Sequence, residues 1–328
     1  MISLARCALM GGAIAGLVST AVPATAQDVT VAGVGASPGT ASAVTGQLEV
    51  TETGPLTRRI ELTYTDRATG EPISQFDVEL TQQLHILATD AGLTHLIHEH
   101  ADEIGAGGRF IAELEFPQPG LYHIYTDAVP TGLGQQVQRF DVPVGDQTEA
   151  QTEQLQGESI VDGPLVSSDG AYTATLDAAD LQPGMESTVS LLVERDGALA
   201  TDLEPYLGVS AHAVFIKADD LAYVHAHAMP ASDGAEGHQV HGDHGAAATD
   251  SEHQHGGDIA QHGSADEAGG NGHSEHGGAA AISPEMSLHV TAPAPGTYAL
   301  WIEFIGGGEI RTVPFTIEIP EAGGHHAH

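Results

Sequence analysis

Two stretches of the 328-residue chain place histidines at the same spacing: His85, His98 and His100 in one, His212, His225 and His227 in the other, each reading H-x12-H-x-H. In both copies an Asp-containing turn follows the first histidine, Asp90-Ala91-Gly92-Leu93 in the first and Asp219-Asp220-Leu221 in the second. Neutral imidazole is a good ligand for copper, zinc and nickel. If the segments flanking each turn pair as a β-hairpin, alternation puts His98 and His100 on one strand face with His85 nearly opposite, at Cβ separations of about 5 Å. Three imidazoles can then converge on one ion at about 2 Å. The competing reading is three strand histidines bonded to backbone carbonyls. Met229 continues the alternation after His225 and His227, and a thioether beside imidazoles favours copper, above all Cu(I), although ordinary packing is the preferred account of Met229. His95 and His123 have Ala222 and Ala299 at the matching positions of the second copy and receive no role.

A second histidine population lies in residues 231–282, where His238, His241, His244, His253 and His255 stand among eight histidines in a Gly, Ala, Asp, Glu and Ser background without Lys or Arg. Such a composition cannot bury a core and predicts a disordered loop. The corresponding connection in the first copy is only residues 101–108, so the loop reads as an insertion that begins directly after the second H-x-H. Its H-x2-H-x2-H and H-x-H spacings predict several weak, high-capacity sites, since ordering the loop costs entropy. A low-complexity spacer is the alternative. The tail, residues 321–328, adds His325, His326 and His328.

The elements that position these residues repeat as well. Pro119-Gly120-Leu121-Tyr122 matches Pro295-Gly296-Thr297-Tyr298, Tyr125 falls on Trp301, and residues 140–144 match 315–319. Stretches such as Ile60-Glu61-Leu62-Thr63-Tyr64 and Val189 to Val193 alternate with period two between Gly, Pro and Asp turns. The expectation is an all-β chain, a tandem duplication of two immunoglobulin-like β-sandwich domains, with the disordered histidine-rich loop inserted in the second. A Greek-key barrel is the alternative fold. The expected boundaries are a signal peptide at 1–26, a flexible leader at 27–46, the first sandwich at 47–145, an acidic linker at 146–168 and the second sandwich at 169–320.

Arg6, the apolar run from Ala8 to Val22 and the small-x-small Ala24-Thr25-Ala26 predict a signal peptide cleaved after Ala26, hence a periplasmic or secreted protein. No later segment has the apolar length to span a bilayer as a helix. The only cysteine, Cys7, lies within the signal, which removes disulfides, thiolate zinc and blue-copper sites from the mature chain. Loss of Arg6 leaves 8 basic residues against 45 acidic ones, a net charge of −37. That balance repels nucleic acid and anionic lipid and suits cations.

The second half carries Asp202-Leu203-Glu204-Pro205-Tyr206-Leu207-Gly208, then His212, then Tyr223-Val224-His225-Ala226-His227, and finally Thr312-Val313-Pro314-Phe315-Thr316. Over residues 170–320 it resembles bacterial secreted immunoglobulin-like β-sandwich domains of the LepYLG…gH…HvHP type. The resemblance implies an association with heavy-metal, especially copper, handling. Here Ala228 and Met229 separate His227 from Pro230, where the family has proline directly after the second histidine. The leading expectation is an exported metal-binding protein that sequesters or delivers copper, with zinc or nickel as other cargo and an envelope metal transporter or acceptor protein as a partner. Two other classes stand beside it. One is an envelope structural or interaction module whose histidines sense pH. The other is a three-histidine metalloenzyme, disfavoured because Glu99 should face away from the histidines and neither HExxH nor GxSxG occurs.

Overall fold

The computed structural model describes residues 28–39, 41–145, 155–231 and 282–321, and these form two β-sandwich repeats. In the first, one sheet runs β1 (Asp28–Ala32), β3 (Val44–Glu52), β4 (Thr57–Asp66), β9 (Arg109–Glu115), β8 (Glu103–Gly105). The other runs β2 (Val34–Gly35), β11 (Gln136–Val144), β10 (Gly120–Pro130), β6 (Leu84–Asp90), β7 (Leu96–His100), with β5 (Phe76–Asp77) beside β10. The order β11-β10-β6-β7 facing β3-β4-β9 is the immunoglobulin-like arrangement.

The second repeat keeps this order in one continuous sheet: β12 (Glu158–Ser159), β22 (Glu309–Ile319), β21 (Gly296–Gly306), β18 (Ala211–Lys217), β19 (Tyr223–Pro230), β20 (Glu285–Thr291), β15 (Glu186–Arg195), β14 (Tyr172–Asp177), β13 (Leu165–Asp169). Short strands β16 (Ala198–Leu199) and β17 (Leu203–Glu204) pair with β15 and β21. Continuity comes from β19, which pairs with β18 along most of its length and with β20 through Ala228–Pro230. Among the described residues no helix is long and apolar enough to cross a membrane.

Alternation explains most strands. On β3 and β4, Leu48, Val50, Ile60, Leu62 and Tyr64 enter the core while the residues between them do not. Four strands break the pattern: β6 and β18 are buried at every position, and β10 and β21 over seven consecutive residues. One face of each packs inside its own sandwich, as with Ile86 and Phe215. The opposite face packs on the other repeat. Leu87, Tyr125 and Val137 of the first repeat join Val214, Tyr223 and Trp301 of the second in one apolar cluster. Tyr125 stacks on Tyr223, with centroids 5.0 Å apart, and donates its hydroxyl to the Leu221 carbonyl at 3.0 Å.

Two expected boundaries change. The stretch 27–46, expected as a loose leader, supplies β1 and β2, which pair with β3 and β11, and its Ala36 is buried at the repeat interface. The Ala, Gly and Val content that read as flexible is also what fits against a neighbouring sheet. Within the expected linker 146–168, Glu158–Ser159 pairs in parallel with β22 and Leu165 opens β13, so the second repeat begins earlier than 169. The expected signal peptide, residues 1–26, lies outside the described residues, as does nearly all of the expected histidine-rich insertion, 232–281.

Trp301 is 2% exposed within the inter-repeat cluster. Trp301→Ala should cost about 3–5 kcal/mol of stability, read as a lower urea midpoint, whereas Ile310→Ala, at a 52% exposed position, should stay within about 0.5 kcal/mol of the parent.

Candidate metal centre

Each H-x12-H-x-H motif is a hairpin. His85 lies opposite His100 and Leu87 opposite His98 in the β6–β7 register, while His212 lies opposite His227 and Val214 opposite His225 in β18–β19. Alternation then directs all six histidines to the faces that meet between the repeats. His85, His98 and His100 form one group whose ligand nitrogens lie within 4.8 Å of one another, and His212, His225 and His227 form another. Sequence spacing therefore located both trios. The structure adds that they are neighbours: His98 and His212 rings are 5.5 Å apart, His85 and His225 5.6 Å.

The ring spacing fits metal coordination. With ion-to-nitrogen distances of about 2.0–2.1 Å, an ion sits roughly 3.2 Å from each ring centre, and tetrahedral imidazoles lie roughly 5 Å apart. The observed separations are 5.1, 5.2 and 5.8 Å in the first trio and 4.6, 5.1 and 5.1 Å in the second.

Hydrogen bonds fix which nitrogen is free. His85 Nε2 lies 3.2 Å from the Glu79 carbonyl, and His212 Nε2 lies 3.3 Å from the Tyr206 carbonyl, in each case six residues upstream. A carbonyl only accepts, so Nε2 carries the proton and Nδ1 the lone pair. Both carbonyls belong to tight two-residue turns, Glu79-Leu80-Thr81-Gln82 and Tyr206-Leu207-Gly208-Val209, closed by backbone hydrogen bonds. Their central residues have positive φ: Leu80 and Thr81 in the first turn, Leu207 and Gly208 in the second. Thus the Tyr-Leu-Gly signature and its unlike counterpart in the first repeat do the same thing, which is to aim a carbonyl at the first histidine.

His98 Nδ1 donates to Glu303 Oε2 at 2.6 Å, leaving Nε2 free. His98 Nε2, His85 Nδ1, His100 Nε2 and His227 Nε2 are all buried without a hydrogen-bond partner. His212 Nδ1 and His225 Nε2 face each other at 2.9 Å. A buried polar atom left unpaired costs about 1–3 kcal/mol, so four such atoms in one cluster point to a ligand.

Burial pushes His85, His212 and His225 below the ordinary imidazole value, and His100 and His227 down to about 4, with neighbouring imidazoles adding to the effect. They are therefore neutral at neutral pH and keep lone pairs for coordination. Burial raises Asp127 to about 6, offset in part by Gln135, whose amide donates to both carboxylate oxygens.

Other expected residues sit elsewhere. Met229 follows on the same strand but is 48% exposed at its end. Glu99 is exposed, in keeping with its expected direction away from the trio. His95 bonds Thr94, and His123 bonds Asp141 at 2.7 Å; neither joins a trio. His238, His241, His244, His253 and His255 fall outside the described residues. Asp127 and Glu303 were missed, yet each stands eight residues after the proline of its Pro-Gly motif, Pro119 and Pro295. The duplication thus repeats an acidic residue at one position.

The fold and site define a duplicated β-sandwich protein with paired three-histidine groups between its repeats. The chain belongs to the family described as Domain of unknown function (DUF8832), which matches residues 39–145 and 166–321. No curated protein matches the chain.

The depressed imidazole values have a consequence for the metal-free protein. An unfolded chain takes up protons on histidine below about pH 6.5, whereas His100 and His227 in the folded chain resist until about 4. The unfolded state then binds more protons, so stability falls as pH drops from about 6.5 towards 4. Thermal unfolding of chelated protein should show Tm declining across that window, and His100→Gln with His227→Gln should flatten the decline. Equal slopes for variant and parent would contradict it.

Proposed function

We propose that the protein is an exported metal-binding protein that sequesters or delivers copper through its two histidine trios. The observation that supports this best is the cluster of buried, unpartnered imidazole nitrogens at coordination spacing. An all-imidazole donor set accepts zinc, nickel and copper, and among divalent ions such a set binds Cu(II) most tightly. Copper also agrees with the resemblance to copper-associated secreted domains. His85, His98 and His100 would hold one ion and His212, His225 and His227 another. A cleft of about 400 Å³ lined by Gln135, Val137, Tyr223 and His225 gives a path towards the second trio. Histidines of the insertion would collect ions weakly and raise their concentration near that trio, and an envelope transporter or acceptor protein would exchange them.

Titration calorimetry of the full chain with Cu(II), Zn(II) and Ni(II) tests this reading. Two tight ions per chain are expected, with weaker events lost when His238, His241, His244, His253 and His255 are changed to Ser. His225→Ala with His227→Ala should abolish one tight event. Absence of binding tighter than about 10 μM, or affinity unchanged in that double variant, overturns the proposal. Export has its own test: the mature protein recovered from the envelope or medium should begin at Gln27 by intact mass, and an unprocessed cytoplasmic chain would refute it.

A further inference from the structure

We infer that the two trios form one coupled two-ion centre in which Glu303 and Asp127 act across the repeat boundary, each orienting a histidine of the other repeat. This rests on the metal-binding reading above. Within its own sheet each carboxylate sits beside the first histidine of its own trio, Asp127 opposite His85 and Glu303 opposite His212. Their nearest imidazole partners are nevertheless in the other repeat. Glu303 meets His98 at 2.6 Å, with side chains 4% and 1% exposed, across 205 residues of chain. Asp127 approaches His225 Nδ1 at 3.7 Å, with side chains 2% and 3% exposed. His98 and His225 occupy equivalent places in the two motifs, so the two contacts cross the boundary at matching positions, as a hydrogen bond from His98 to Glu303 and as a longer approach of Asp127 to His225.

The geometry assigns Glu303 its chemical task directly, and Asp127, 3.7 Å from His225 Nδ1, takes the matching one only when that nitrogen carries the proton. An acceptor on Nδ1 fixes the ring and its tautomer and raises the basicity of Nε2, which is the nitrogen left free on His98. Thr312 donates to the other Glu303 oxygen at 3.2 Å, which holds the carboxylate in place. On the second side Gln135 occupies both Asp127 oxygens, and His225 Nε2 faces His212 Nδ1 in the metal-free centre. An ion taken up by the second trio requires the His225 proton on Nδ1, towards Asp127. The effect of Asp127 should therefore be the weaker of the two. Two buried carboxylates also offset the charge of two closely spaced cations, which would otherwise repel strongly at low dielectric. Neither repeat holds a complete site: each trio needs the opposite repeat docked against it.

Full-length chains with one trio disabled test the crossing, with Zn(II) as the probe in competition against a chromophoric chelator. In a His212→Gln, His227→Gln background, where the first trio remains, Glu303→Gln should weaken Zn(II) binding by about 10–100-fold and Asp127→Asn should leave it nearly unchanged. In a His85→Gln, His100→Gln background the roles reverse, with Asp127→Asn weakening the second trio by a smaller factor. With Co(II) as a second probe, the visible ligand-field band of the first trio should shift in Glu303→Gln, a change that general destabilisation does not produce. Near-ultraviolet circular dichroism of the metal-free variants reports folding independently of the probe. If each carboxylate governs its own repeat's trio, or if neither affects affinity or spectrum in a folded variant, the cross-repeat assignment is overturned while metal binding stands. Failure of the unmutated chain to bind Zn(II) or Cu(II) removes both.

Discussion

Burying imidazoles between two β-sheets is the constraint on which the rest of this molecule depends. A neutral imidazole has one donor and one acceptor nitrogen, and both must be satisfied when water is excluded. The repeats meet this demand partly by themselves. Carbonyls of the Glu79 and Tyr206 turns take the protons of His85 and His212, and Glu303 takes that of His98. What is left over is a set of buried imidazole nitrogens without a protein partner. A face-to-face packing of two polar strand faces would be unfavourable without something to occupy them.

The apolar part of the same interface makes that burial possible. Leu87, Tyr125, Val214, Tyr223 and Trp301 pack beside the histidines on the same strand faces, so one docking event dehydrates both. Hydrophobic contact holds the sheets together without direction. The hydrogen bonds fix the rings, and they do so across the boundary as well as within each repeat. The second repeat's fusion into one sheet through β19 and β20 further stiffens the strand that carries His225 and His227.

Much of this was legible in the sequence. Period-two alternation marked the strands, and the repeated H-x12-H-x-H spacing marked both hairpins, because strand periodicity and turn length together decide which side chains are cross-strand neighbours. Uninterrupted burial on β6 and β18 was visible only as apolar residues interleaved with His85 and His212, which reads equally as a half-buried strand. The leader at 27–46 was misjudged because pairing of β1 and β2 depends on edges offered by β3 and β11, distant in sequence. Asp127 and Glu303 carried a faint signal through their equivalent positions in the duplication, but an acidic residue on a strand usually faces water.

The sequence by itself determined that the chain is all-β, that it is duplicated, and that each copy gathers three histidines. These follow from local rules of alternation and turn length that act within about twenty residues. Only the tertiary structure decided that the two trios are neighbours, that their outer faces are buried against each other, and that Glu303 reaches His98 from the opposite repeat. The physical reason is that docking of two sheets is set by the summed shape and polarity of whole faces. No single motif encodes that sum, and neither copy contains the other's half of the contact.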